Sequence, residues 1–228
     1  MTSPTTPTID APVPRPTTEP KAESFLDWFR INTRIVTIAA VVVAAAVFGF
    51  WFYNRSNVLK AENADRRLLA AKQSLNSGNL PLAQSDLKKV ADQYAGTSAG
   101  AEAGMLLAQV KLEQNDNQGA ATTLRELAAK NETGPYATSI RALLGDALSQ
   151  LGKPAEAAAE YERASTLTQA PNERALLLAK IGRAYTAAGN TAKAREAWEA
   201  LANQSDAPSM ATEARVRLGE LLATGAKP

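Results

Sequence analysis

The sequence predicts an all-α protein in which a single N-terminal transmembrane helix precedes an α-solenoid of about four helix pairs and a C-terminal capping helix. Three observations predict this fold class. Nineteen consecutive residues, Ile35 to Tyr53, carry no charge. The chain beyond them is rich in Ala, Leu, Glu, Lys, Gln and Arg, which favour helices. Small and large apolar residues then recur every 37 residues, which indicates a repeated helical hairpin.

The N-terminal 34 residues divide into two predicted segments. Residues 1–20 hold six of the twelve prolines and no apolar run, so they cannot bury enough surface to offset the entropy of ordering. We therefore expect residues 1–22 to be a disordered Pro/Thr-rich leader. In residues 23–34, aromatic side chains around Trp28 alternate with charged ones, which is typical of a juxtamembrane segment at the membrane surface.

Residues 35–53 form the predicted transmembrane helix. At ~1.5 Å per residue the helix would be roughly 28 Å long, close to the ~30 Å hydrocarbon core of a bilayer. A core helix of a soluble protein would normally show a polar stripe, and a cleaved signal peptide would place its apolar core nearer the N-terminus, but both alternatives stay open. The candidate membrane-anchor residues are Ile35, Val41, Ala45, Gly49, Trp51 and Tyr53.

Charge and composition narrow the classes of function. Basic residues flank the apolar run on both sides, so charge does not determine its orientation. The net charge of +2 does not indicate a nucleic-acid partner. Cysteine and histidine are absent, which removes thiolate chemistry, the usual general base and the commonest metal ligand. We predict no enzymatic activity, cofactor, metal or small-molecule substrate.

Residues 54–228 form the predicted repeat domain. In the second helix of each pair, an alanine is followed four residues later by a large apolar side chain and preceded by a Gly or Asn suited to a tight turn. The first helix carries a small residue that permits close approach of its partner. The repeat-packing candidates are Ala83, Leu87, Ala120, Leu124, Gly145, Gly152, Ala157, Tyr161, Gly182, Gly189, Ala194 and Trp198.

Two copies of this pattern carry a family resemblance. Leu144-Gly145, Gly152, Ala157 and Tyr161, and their counterparts 37 residues later, resemble the columns of the tetratricopeptide repeat. The tryptophan expected early in each repeat is replaced by Arg141 and Leu178, and the period exceeds the ~34 residues of the family. The resemblance implies stacked hairpins that bind other proteins, whereas an ordinary helical bundle is the alternative.

Stacked hairpins line a concave surface with the first helix of each pair. The residue that follows the small residue of each first helix is polar in every repeat, and the residue about one turn before it is mostly apolar. A polar row beside an apolar row could suit a bound peptide. The candidate protein-binding residues are Leu68, Lys72, Met105, Gln109, Asp146, Arg183 and Glu220. The alternative is that they are solvated positions beside the packing seam.

The overall layout resembles a more specific family. The aromatic entry Phe25 to Phe29, the span ending in Trp51 to Asn54, and the stretch Gly189 to Ala200 resemble the YfgM-like ancillary subunit of the SecYEG translocon. That resemblance implies a cytoplasmic N-terminus, a single pass through the inner membrane, and a periplasmic repeat domain that links exported proteins to chaperones. Related cell-division coordinators share the repeat type. An architectural subunit of another membrane complex, or a cell-envelope scaffold, is the alternative.

Overall fold

The computed structural model describes residues 33–225, with side chains to residue 223. These residues form nine α-helices and no strand, which confirms the predicted fold class. The helices are α1 (Thr33–Asn76), α2 (Leu80–Gln93), α3 (Ser98–Glu113), α4 (Asn117–Lys130), α5 (Ala137–Gln150), α6 (Pro154–Leu167), α7 (Pro171–Ala187), α8 (Thr191–Ala202) and α9 (Pro208–Gly225). The predicted leader and residues 23–32 of the predicted juxtamembrane segment lie outside the described residues, whereas Thr33 and Arg34 begin α1.

The chain divides into two compact units, Met1–Arg55 and Ser56–Pro228. In the described part of the first unit, the apolar half of α1 contains an 18-residue window with a mean hydropathy of 2.5, none of which is buried. Ile35, Val41, Trp51 and Tyr53 are each more than half exposed. Among the described residues, α1 is the one helix long and apolar enough to cross a membrane. Its exposure argues against a core helix of this chain.

The second unit is a succession of helical hairpins. The C-terminal part of α1 packs against α2 through Leu68 and Leu87. Helices α3–α4, α5–α6 and α7–α8 form three further pairs, followed by the single helix α9. This order agrees with the predicted four pairs and capping helix. The capping helix α9 begins at Pro208, a residue well suited to a first helical position.

The turns inside the four hairpins share one backbone geometry. Gly78, Asn115, Gly152 and Gly189 have φ angles of +74°, +62°, +69° and +73°. In each turn the following residue donates its N–H to a carbonyl five residues earlier, as Asn190 does to Tyr185 at 2.9 Å. This is the Schellman closure that satisfies the last carbonyls of a helix, and it favours glycine because side chains rarely tolerate positive φ.

The two helices of a pair approach most closely where the first helix carries glycine. A Cβ atom added to Gly145 would lie 2.4 Å from the ring of Tyr161, and one added to Gly182 would lie 2.5 Å from the ring of Trp198. Both distances are far below van der Waals contact. Glycine is therefore needed at these positions so that the aromatic side chain of the second helix can lie flat on the first.

The buried side chains form two clusters. The larger cluster runs from α3 to α9 and includes Leu124, Tyr161 and Trp198. The smaller cluster joins the C-terminal part of α1 to α2 and α3 through residues such as Leu68 and Leu87. Helix α3 contributes to both, with Leu107 in the smaller and Ala108 in the larger cluster, so burial is continuous along the stack.

A candidate protein-binding groove

Three residues of the polar row expected on the first helices form ion pairs with the first helix of the next repeat or with α9. Lys72 of α1 pairs with Glu102 of α3. Asp146 of α5 pairs with Lys180 of α7 at 2.7 Å. Arg183 of α7 pairs with Glu213 of α9 at 2.8 Å. These half-exposed pairs each contribute at most about 1 kcal/mol, so they mainly fix the register of neighbouring first helices.

Besides Lys180, Asp146 has one further partner, Tyr161. The Tyr161 hydroxyl donates to its Oδ1 at 2.7 Å. The Lys180 ammonium lies 5.4 Å from the Tyr161 ring centroid, within the range of a cation–π contact. Burial of the phenol raises the pKa of Tyr161, and the hydrogen bond to Asp146 raises it further. The Asp146 carboxylate is thus part of the packing between α5, α6 and α7.

The remaining candidates of this row differ in exposure. Leu68 is only 5% exposed, because it packs in the smaller core cluster. That burial removes Leu68 from the candidate surface. Met105 is half-buried against the larger cluster, whereas Gln109 is exposed. Glu220 is exposed and accepts from Arg217 at 2.9 Å.

The repeat-packing candidates lie in the interior or at the turns. Gly152 and Gly189 occupy exposed hairpin turns. The other ten are buried: Ala83, Leu87, Ala120, Leu124, Gly145, Ala157, Tyr161, Gly182, Ala194 and Trp198. Their common role is to hold the two helices of each pair together.

A groove of about 430 Å³ opens between α7 and α9, with Trp198 of α8 in its lining. Its full lining is Arg183, Thr186, Ala187, Trp198, Arg217, Glu220 and Leu221. Charged side chains of both signs therefore border the apolar surface of Trp198 and Leu221. The volume falls in the ~300–1,000 Å³ range of ligand sites, and a mixed apolar and polar lining is typical of them.

Trp198 contributes an unsatisfied donor to this region. Its side chain is 1% exposed, and its Nε1 has no hydrogen-bond acceptor among the described residues. A buried N–H without an acceptor costs ~1–3 kcal/mol, so this indole is a locally destabilising feature of the packing between α7 and α8. No cluster of metal-ligating side chains occurs in the part of the chain that the structure describes.

Sequence reasoning identified only part of this groove. Arg183 and Glu220 belong to the predicted polar row, and Trp198 was expected only to pack. Thr186, Ala187, Arg217 and Leu221 were missed, because their proximity depends on how α9 lies against α7 and α8. The single available signal was a tryptophan in the repeat that precedes the last helix.

These stacked helical hairpins define an α-solenoid of helical repeats. Each hairpin has a turn residue in the left-handed conformation, and a large side chain of its second helix packs against its first helix. A model of the tetratricopeptide repeat-like domain matches residues 27–142 and again residues 66–184. The chain belongs to this family. Such repeats typically form non-catalytic scaffolds that present extended surfaces to other proteins.

Solved structures of related architecture support the fold. MamA matches with a TM-score of 0.54 at 18% identity, over 71% of this chain and 87% of its own. BtubC (BKLC) from P. vanneervenii matches with a TM-score of 0.53 at 16% identity, over 72% and 66%. The TPR-like repeats of a kinesin light chain from Podosopora anserina match with a TM-score of 0.51 at 19% identity, over 73% of this chain and 96% of their own. No curated protein matches the sequence.

Proposed function

We propose that this protein is a membrane-anchored scaffold that binds other proteins through the groove between α7 and α9. The observation that carries the proposal is the groove itself, in which the apolar surface of Trp198 and Leu221 lies beside charges of both signs. A peptide segment matches this lining because it offers backbone carbonyls, apolar side chains and charges in one ligand.

The anchor in this proposal is the apolar half of α1. Its side chains are exposed although they are strongly hydrophobic, and a lipid bilayer would cover them. The proposed location is the inner membrane, with a cytoplasmic N-terminus and a periplasmic repeat domain. This location and orientation rest on the resemblance to the YfgM-like family.

The more specific proposal is an ancillary role at the Sec translocon. In this role the groove receives segments of exported proteins, or of the chaperones that accept them. An architectural role in another membrane complex is the second candidate, since Ala39, Ala45 and Gly49 are exposed small residues that permit close packing of membrane helices.

The test is co-purification of the full chain from native membranes in lipid nanodiscs. Ala187→Trp fills the groove with a bulky side chain, and Ala192→Trp makes the same change at an exposed alanine of α8 outside it. We expect wild type and Ala192→Trp to retain Sec subunits together with exported polypeptides or chaperones. We expect Ala187→Trp to lose the polypeptide or chaperone by about tenfold, the scale of removing one good contact.

Two results of this co-purification would contradict the proposal. Recovery of a stoichiometric membrane complex without Sec components would reject the translocon role. If that complex were also insensitive to Ala187→Trp, the groove would not be the binding surface.

A further inference from the structure

Helix α9 presents a surface that repeats a surface of α5. We define the α9 outer face by Arg215, Leu218, Gly219 and Leu222. The corresponding residues of α5, 74 positions earlier, are Arg141, Leu144, Gly145 and Leu148. Both helices thus share the pattern Arg-x-x-Leu-Gly-acid-x-Leu, with Asp146 and Glu220 at the acidic position.

In α5 this surface is covered by α6. The Tyr161 ring lies on Gly145, where an added Cβ would be 2.4 Å from it. Glu160 pairs with Arg141 at 3.0 Å, and both side chains are less than one-fifth exposed. Leu144 and Leu148 are each 2% exposed. An acidic residue followed by an aromatic one therefore complements this surface.

On α9 Leu218 is half-buried against the larger core cluster, but the rest of this surface is open. A Cβ added at Gly219 would meet nothing within 4 Å, and Leu222 is 57% exposed, although its counterpart Leu148 is buried. The Arg215 guanidinium is exposed and, among the described residues, meets a backbone carbonyl of Ala202 at 3.4 Å rather than a carboxylate.

We propose that the α9 outer face docks a helix from a partner protein and so completes a fifth hairpin. The partner helix carries a small residue, then Glu three positions later, an aromatic residue next to it, and a small residue three positions further. This is the arrangement of Ala157, Glu160, Tyr161 and Ala164 in α6. Its Glu pairs with Arg215 and its aromatic ring covers Gly219.

The charge of the surface favours this partner over a purely apolar one. Arg215 would be removed from water by any helix packed over Leu218 and Leu222, and a buried guanidinium requires an acidic partner. The equivalent Arg141 meets this requirement with Glu160. The aromatic residue is specified by Gly219, since an interior glycine weakens a helix by ~1 kcal/mol relative to alanine unless close packing requires it.

The test uses the known occupant of the equivalent surface as a probe. A fluorescent, helix-stapled peptide of residues 154–167 is titrated with the full chain in nanodiscs, and binding is measured by anisotropy. We expect saturable binding to wild type and to Ser209→Ala, an exposed control on α9. Gly219→Ala should weaken binding about tenfold or more, because its Cβ occupies the place of the ring.

A charge exchange tests the second contact. A peptide with Glu160→Arg should lose most of its binding to wild type and regain it with the Arg215→Glu protein, to within about threefold of the original pair. Ala187→Trp, which blocks the groove, should leave peptide binding unchanged. Failure of this inference is thus distinguishable from failure of the proposed groove.

Three results would overturn the inference. The first is no saturable binding to wild type, and the second is equal binding to wild type and Gly219→Ala. The third is self-association of the wild-type chain in analytical ultracentrifugation that Gly219→Ala abolishes, because the surface would then belong to a second copy of this chain.

Discussion

Among single residues, the glycines of the first helices allow two effects on stability to be distinguished. Substituting them by alanine changes both the packing against the second helix and the intrinsic helix propensity. Gly182→Ala places a Cβ about 2.5 Å from the Trp198 ring, so we expect a net loss of stability of about 1–3 kcal/mol. Gly219→Ala makes the same change at the equivalent position of α9, where nothing lies within 4 Å. It should gain up to ~1 kcal/mol from helix propensity.

Urea unfolding of the full chain in nanodiscs, followed by far-UV circular dichroism, measures both changes. Equal effects of the two substitutions would show that Trp198 does not lie on Gly182 as described.

Tyr161 makes stability depend on pH at the alkaline end. Burial and the hydrogen bond to Asp146 raise its pKa above the ordinary 10.0 in the folded chain. Above pH ~10 the unfolded chain therefore binds fewer protons than the folded one, and the free energy of unfolding falls as pH rises. We expect Tyr161→Phe to cost about 1 kcal/mol below pH 10 and to cost progressively less by pH 11.

Urea midpoints of wild type and Tyr161→Phe at pH 8, 10 and 11 provide the measurement. Titration of lysines affects both proteins and cancels in the difference. A difference that stays constant over this range would mean that the Tyr161 phenol ionises as easily in the folded chain as in the unfolded one.

At the scale of elements, the hairpin turns depend on the backbone rather than on contacts. Gly152 has a φ of +69° and open space around it, so Gly152→Ala should cost about 1–2 kcal/mol through strain alone. Gly49→Ala is the matched control, because that glycine lies inside α1 with nothing within 4 Å and no positive φ. Thermal unfolding should show a lower midpoint for the first variant only.

The elements were predictable because their signals are local. The turn residues and the recurring alanines recur at a fixed period, so they can be recognised in the sequence. The apolar run is recognised by its length and its lack of charge. The bounds of α9 and the continuity of α1 through Asn76 depend on caps and on helix propensity over several turns, which the repeat pattern does not specify.

Contacts between repeats were not predictable in the same way. The partner of Arg183 is Glu213, 30 residues later, whereas the partner of Asp146 is Lys180, 34 residues later. Such offsets depend on the orientation of each hairpin relative to the preceding one. The repeating sequence pattern does not specify that orientation. Leu68 was misplaced for the same reason, since its burial depends on the position of α3 beside α1.

At the scale of the whole repeat unit, the two core clusters predict uneven local stability. The larger cluster surrounds α5 to α8 on several sides, whereas α2 belongs to a smaller cluster. Stacked repeats contact mainly their neighbours, so less buried repeats open at lower free energy. Hydrogen exchange with mass spectrometry should show slower exchange in α6 and α7 than in α2. Equal exchange in all of them would indicate a single cooperative unit.

We proposed that the repeat unit binds other proteins in the groove between α7 and α9. Site-specific photo-crosslinking of the full chain in native membranes tests it most directly, with the reactive residue at position 187 and the control at position 192. We expect abundant adducts with Sec subunits, exported polypeptides or their chaperones from position 187 and few from position 192. Equal adducts from both positions, or none from position 187, would contradict it.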